Sequence, residues 1–152
     1  MNISTTKIGG LAASLLLVAA LMTGATPSAD GADGDAQVKP VLAQRLPNVP
    51  GQSLTAVTVS YAPGGKSAAH RHAGSVFAYV LSGVIRSETS ATGPAKVYKA
   101  GESFFEPPGS RHLVSENASA TEPASLLAVF VAADGAQLTI FDTPASPGGA
   151  TK

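Results

Sequence analysis

Short apolar segments separated by Gly or Pro clusters make up most of the chain between residues 38 and 142. The segments are rich in Val, Ile, Phe and Tyr, which favour β-strands, and no segment has a helical periodicity. The pattern therefore predicts an all-β domain of eight or nine strands, folded as a sandwich or a barrel. The predicted strands cover residues 54–62, 76–82, 84–88, 96–99, 103–106, 112–116, 125–132 and 138–141.

The segment 76–88 shows the clearest alternation of side chains. Its first half has two rows, Val76, Ala78 and Val80 on one side and Phe77, Tyr79 and Leu81 on the other. Because side chains alternate across a strand, one row is expected in the interior and the other outside the domain or in a subunit interface. Gly83 follows, and the two flanking strands read as a tight hairpin.

Both ends of the chain differ in composition from this domain. Residues 1–25 are typical of a secretory signal peptide, because a short segment ending in Lys7 precedes the apolar stretch 8–22 and a group of small residues. Residues 26–37 and 143–152 are rich in Ala, Gly, Ser, Thr and Pro, and are predicted to be a flexible linker and a disordered tail. The folded domain is thus expected to span residues 38–142 of a secreted or periplasmic protein.

Charge and composition limit the partners. The 152-residue chain has 10 Lys and Arg against 10 Asp and Glu, and therefore no formal net charge. Without a basic run, neither nucleic acid nor a membrane surface beyond the leader is an expected partner. The absence of Cys excludes disulfides, thiolate metal sites and thiol catalysis, so that any metal must be bound by His, Asp or Glu.

All three histidines of the chain fall in two short segments. His70 and His72 form an H-x-H pair, which on an extended strand places both imidazoles on one face while Arg71 points away. His112 begins another apolar strand, and pairing of the two strands would bring the third imidazole to the same point. Such a set binds a metal and leaves positions open for water or substrate. The alternative is three structural histidines without a metal.

The segment from Gly64 to Gly83 resembles the first motif of the cupin superfamily, G-x5-H-x-H-x3-4-E-x6-G. His70 and His72 occupy the two His positions of the motif. The Glu position, counted back from Gly83, is occupied by Val76, which cannot coordinate a metal.

The segment from Gly101 to Asn117 resembles the second cupin motif, G-x5-P-x-G-x2-H-x3-N. Pro107, Gly109 and His112 stand at its spacing, and only the final Asn is displaced by one position. Two motifs in the expected order are a stronger signal than either alone.

The resemblance implies a single antiparallel jelly-roll β-barrel that forms a homodimer. It also implies a divalent transition metal at the mouth of the barrel, with His70, His72 and His112 as ligands, and leaves Fe(II), Mn(II), Ni(II), Cu(II) and Zn(II) open. Glu106, which directly precedes the turn to His112, is the candidate catalytic carboxylate, either as a base or as a ligand. A solvated or turn-capping Glu is the alternative.

These features favour a secreted, metal-binding cupin that acts on a small polar molecule, as a dioxygenase-like or isomerase-like enzyme. A non-catalytic module that binds or senses a small molecule is the alternative, and a metal-free dimeric scaffold is a third interpretation. A deep pocket with an open metal position and a nearby carboxylate would favour the enzyme, whereas a shallow or filled barrel would favour the binding module.

Overall fold

The structure, a computed structural model, describes residues 36–142 and consists there of ten β-strands without a helix. The predicted all-β fold is confirmed. Within this range no helix is long and apolar enough to cross a membrane. The strands are β1 (Ala36–Arg45), β2 (Gln52–Tyr61), β3 (His70–His72), β4 (Ser75–Ser82), β5 (Val84–Thr89), β6 (Lys96–Lys99), β7 (Ser103–Glu106), β8 (Arg111–Asn117), β9 (Ala124–Ala133) and β10 (Thr139–Phe141).

The strands form two five-stranded antiparallel sheets. The first sheet has the order β1-β2-β9-β4-β7 and the second has the order β10-β3-β8-β5-β6. Their inner faces enclose the core in the jelly-roll arrangement. Alternate residues of β4 and β9 supply much of the core, and the fully buried Ile85 supplies it from the second sheet.

Eight of the ten strands lie within two residues of their predicted bounds, β3 coincides with the H-x-H pair, and β1 is the exception. It takes in Ala36 and Gln37, which the sequence pattern assigns to the linker, so the linker boundary at residue 37 is wrong by two residues. The predicted signal peptide, the rest of the linker and the predicted tail lie outside the described residues.

The predicted hairpin at Gly83 is wrong, because β4 belongs to the first sheet and β5 to the second. Gly83 has a φ of 69°, and a Cβ at this position would lie 2.6 Å from the carbonyl oxygen of Pro123. The chain thus passes from one sheet to the other at Gly83. Because of the positive φ and the close approach of Pro123, only a residue without a side chain fits at this position.

Candidate metal centre

The short strand β3 holds two of the three histidines against the inside of the fold. His70 and His72 are buried while Arg71 between them is exposed, as the alternation of a strand requires. β3 pairs with β8 so that His70 lies directly opposite His112. The ring of His70 is consequently 4.7 Å from the ring of His72 and 5.0 Å from that of His112, measured between centroids. The three imidazoles meet, as their spacing predicts.

A hydrogen bond fixes one ring nitrogen of each imidazole. Nδ1 of His70 lies 2.6 Å from the carbonyl oxygen of Ala68, and Nδ1 of His72 lies 3.1 Å from that of Leu138. The Nε2 atom of His112 lies 2.9 Å from the hydroxyl of Ser87. Such bonds select the tautomer and the orientation of metal-binding imidazoles. They leave one nitrogen of each ring, and the three candidate ligand atoms lie within 4.8 Å of one another.

Glu106 adds a buried carboxylate to this cluster. Its side chain comes from β7 of the first sheet, and the residue is only 3% exposed. One oxygen, Oε2, is 3.1 Å from Nδ1 of His112 and 3.8 Å from Nε2 of His72. Neither Oε2 nor Nδ1 of His112 has a hydrogen-bond partner among the described residues. The structure thus places the predicted catalytic carboxylate beside the predicted ligands.

Burial determines the protonation of the two imidazoles on β3. Desolvation lowers the pKa of His70 to about 4, and the neighbouring imidazoles act in the same direction. Desolvation also lowers the pKa of His72. Burial raises the pKa of Glu106, but the nearby imidazoles, that of His112 foremost, lower it below its ordinary value. At neutral pH the cluster therefore offers neutral imidazoles on β3 and an ionised carboxylate, the forms in which these groups bind metals.

This donor set fits a divalent transition metal. Imidazole nitrogens and a carboxylate oxygen are ligands for Fe, Mn, Ni, Cu and Zn. The two buried atoms without partners, Oε2 of Glu106 and Nδ1 of His112, point to an additional group between them, because unpaired buried polar atoms are costly.

The three histidines and Glu106 line a cavity between the sheets with a volume of about 80 Å³. The rest of its lining is largely apolar and comes mainly from the first sheet. It includes Val57, Val59, Val76, Leu126 and Phe130. No Lys or Arg is among the described residues that line the cavity, and Glu106 is the one acidic residue among them.

The strand β10 covers one side of the cluster, a role that the sequence pattern did not reveal. It pairs with β3, and the hydroxyl of Thr139 lies 3.3 Å from Nδ1 of His72. The ring of Phe141 packs 5.5 Å from that of His70. These contacts, like the hydroxyl of Ser87, depend on strand pairing between distant segments, so no local sequence signal could have identified them.

The two arginines next to the histidines point outward, which is the predicted orientation of Arg71. Arg111 donates two hydrogen bonds to the carboxylate of Asp142, at 3.2 and 2.6 Å. Arg71 lies 3.8 Å from the same carboxylate. Since both guanidinium groups are half exposed, they hold the end of the described chain against the barrel and do not reach into the cavity.

Comparisons with known proteins agree with this architecture. Residues 57–130 match the family model described as Cupin domain. No curated protein sequence matches the chain.

Three solved structures illustrate the similarity of the fold. An uncharacterized conserved protein with a double-stranded β-helix domain from Klebsiella pneumoniae subsp. pneumoniae MGH 78578 has a TM-score of 0.55 and 24% identity, over 72% of this chain and 86% of that chain. The polyketide cyclase RemF from Streptomyces resistomycificus has a TM-score of 0.56 and 16% identity, over 76% of each chain. The DMSP lyase DddQ from Ruegeria pomeroyi DSS-3 has a TM-score of 0.52 and 19% identity, over 61% of this chain.

The match to the lyase spans only 45% of that chain, and identities this low establish the fold alone. The family match lies within the double-sheet domain and includes all three histidines, from the pair on β3 to His112 on β8. This chain contains a small cupin domain.

Proposed function

We propose that this cupin is a metal-dependent enzyme, with a divalent transition metal bound by His70, His72 and His112. One observation carries the proposal. Each of three buried imidazoles is oriented by a hydrogen bond through one ring nitrogen, and the rings offer one ligand atom each within 4.8 Å of one another. Two nitrogens about 2.1 Å from one tetrahedral ion are about 3.4 Å apart, so binding requires the rings to move closer together by up to about 1.4 Å.

The chemistry of the site follows from these groups and from the cavity. When bound, a metal in such a site polarises an oxygen of the substrate or binds dioxygen, which suits isomerase-like or dioxygenase-like reactions. Glu106 is the proposed catalytic carboxylate, since it is the acidic group that reaches the cluster. The Ser87, Ala68 and Leu138 contacts hold the imidazoles in place, which reduces the reorganisation needed during the reaction.

The residues that line the cavity limit the chemical class of the substrate. Because no Lys or Arg lines it, a charged group of the substrate has no protein counter-charge away from the cluster. A small molecule with an apolar body and one oxygen-bearing end fits this lining better than a molecule that is polar throughout. The similar structures include a lyase and a cyclase, which shows that the fold carries more than one reaction and does not select one here.

The proposal also places the enzyme outside the cytoplasm, as a secreted or periplasmic protein. Its support is the pattern of residues 1–25, in which an apolar stretch follows Lys7. The intact mass of the exported protein reports whether this segment has been removed.

We further propose that the protein is a homodimer that uses the outer face of the first sheet. Phe77 on β4 and Phe105 on β7 lie opposite each other on this face, 44% and 52% exposed. Tyr79 and Leu81 extend the exposed apolar row along β4. The outward-facing residues of β4 and β7 carry no charge. A second copy suits such a face, because a two-fold axis brings identical surfaces together without repulsion between like charges.

Metal analysis tests the proposed function. Protein purified without chelator is expected to contain about one transition-metal ion per chain, and the His72→Ala variant little or none. Arg71→Ala is the matched control, since Arg71 lies on the same strand with its side chain pointing away. Equal metal content in wild type and His72→Ala would refute the ligand assignment.

Substrate screening separates the enzyme from the binding module. Oxygen uptake and product formation with small diketones, thiols and flavonoids are expected only for the metal-loaded protein. Stoichiometric binding of such compounds without turnover would instead support the non-catalytic alternative.

A further inference from the structure

The buried carboxylate of Glu106 faces two imidazoles of the cluster, and no Lys or Arg is among the described residues that line the cavity. A buried ionised carboxylate is destabilising unless hydrogen bonds or a cation compensate it. Its Oε2 atom, however, faces Nδ1 of His112 and Nε2 of His72 without forming a hydrogen bond. The nitrogens that it faces are those that the hydrogen bonds to Ser87 and Leu138 leave for a metal.

The two distances from Oε2 of Glu106 lie at and somewhat above those between ligands that share an ion. Two donor atoms about 2.1 Å from one metal are about 3.0 Å apart at a right angle and about 3.4 Å apart at the tetrahedral angle. Oε2 of Glu106 lies 3.1 Å from the first imidazole nitrogen and 3.8 Å from the second. A cation placed among these three atoms would compensate the carboxylate and satisfy both orphaned atoms together.

The sheet register shows where this carboxylate stands. Glu106 on β7 lies directly opposite Val76 on β4, in the same rung of the first sheet, and both side chains are buried and line the cavity. Val76 occupies the position at which the first motif has its Glu. The carboxylate that is absent from β4 is thus present on the neighbouring strand, on the same face.

We propose that Glu106 is a fourth protein ligand of the metal, which binds through Oε2 and takes the place of a carboxylate at position 76. The inference rests on the proposed function, because it requires the three-histidine metal site. Coordination by Glu106 makes the site a three-histidine, one-carboxylate centre, and the added negative charge offsets part of the charge of a dipositive ion.

The metal affinity of the Glu106→Gln variant tests this inference, since Gln keeps the size of the side chain and removes its charge. We expect the dissociation constant, measured by competition with a chromophoric chelator, to rise by more than the about 10- to 100-fold that loss of a residue that only supports a ligand causes. The visible absorption spectrum of the Co(II)-loaded protein is expected to change as well, because the ligand set changes. The matched control is Glu116→Gln, whose carboxylate pairs with Arg86 on the surface.

A cross-strand exchange separates ligation from an indirect effect. In the double variant Val76→Glu/Glu106→Val the carboxylate moves to β4 at the same rung, and we expect the dissociation constant to return to within about tenfold of wild type. Thermal melts in the presence of chelator show whether each variant is folded. If the double variant does not fold, the metal affinity and the Co(II) spectrum of Glu106→Gln determine whether Glu106 is a ligand.

An unchanged affinity and an unchanged Co(II) spectrum in Glu106→Gln would overturn the inference. If His72→Ala still loses the metal in that case, the proposed three-histidine site remains. If wild type itself binds no metal, the proposed function fails together with the inference.

Discussion

Burial of an imidazole disfavours its charged form, and it lowers the pKa of both His70 and His72. His70 is 6% exposed, and desolvation is the main reason that its pKa is about 4. The unfolded chain has no such burial, so the same side chain there takes up a proton near its ordinary pKa of 6.5. The metal-free site therefore makes stability depend on pH.

In the metal-free protein, the free energy of unfolding is expected to fall as the pH is lowered from 6.5 towards 4. The unfolded state binds a proton at His70 in this range and the folded state does not, so acid favours unfolding. The difference between a pKa of 6.5 in the unfolded chain and about 4 in the folded protein corresponds to about 3 kcal/mol in the free energy of unfolding. The pKa of Glu106, also lowered in the folded state, adds loss of stability below its ordinary value of 4.5.

Urea denaturation in the presence of chelator between pH 7 and pH 4 measures this effect. The His70→Gln variant serves as the comparison, because it lacks the titrating group. A pH dependence that is equally steep in wild type and in His70→Gln would contradict the account.

The sequence sufficed to identify the ligand candidates but not their surroundings. An H-x-H pair on a strand has only one arrangement of its side chains, so the shared face of His70 and His72 follows from two residues. The hydrogen bond from His72 to the carbonyl oxygen of Leu138 and the contact between Glu106 and His112 join segments that are far apart in the chain. Such contacts depend on which strands pair, and local patterning does not determine this.

Among the elements, β3 depends most on its neighbours. It has only three residues, and it is held between β8 and β10 by strand pairing on both sides. The position of the histidine pair is therefore set by the register of β8 and by the short strand β10. A three-residue strand has little stability of its own, so the pairing partners position the ligands.

The change of sheet at Gly83 gives a prediction for an element boundary. Gly83→Ala is expected to lower the free energy of unfolding by at least about 2 kcal/mol, because it combines a positive φ with a Cβ 2.6 Å from the carbonyl oxygen of Pro123. Gly93→Ala is the control, since Gly93 also has a positive φ but no atom near its Cβ position. Chemical denaturation that finds the two variants equally stable would show that the close approach does not matter.

The strand β1 shows why one element escaped prediction. Nine of its ten residues are exposed, so that no interior face imposes an alternation of apolar and polar side chains. It also contains Pro40, which removes a backbone donor and is typical of edge strands. β1 exists because its backbone pairs with β2 over most of its length. This is a tertiary interaction without a local signature.

At the scale of the whole molecule, the two outer faces differ. On the first sheet, Phe77 and Phe105 form an exposed aromatic pair, and Tyr79 lies beside them on β4. On the second sheet, β5 and β8 carry Arg86 and Glu116, which form an ion pair across the surface. The outer face of the first sheet is therefore the better surface for a second copy of the chain.

Replacement of Phe77 by Lys is expected to convert the dimer into a monomer. The substitution would place two like charges in the apolar interface, and we expect the dissociation constant of the dimer to rise at least about 100-fold. Val97→Lys is the control, since Val97 is 52% exposed on β6 of the second sheet. Analytical ultracentrifugation gives the masses. A monomeric wild type, or a Phe77→Lys variant that remains dimeric, would contradict the proposed interface.

The most direct measurement of the central claim is an anomalous difference map of crystals grown from protein purified without chelator. At the absorption edge of the bound metal, the account predicts one peak about 2.0 to 2.2 Å from Nε2 of His70, Nε2 of His72 and Nδ1 of His112. A map without a peak among the three rings, from crystals in which the rings are ordered, would contradict it.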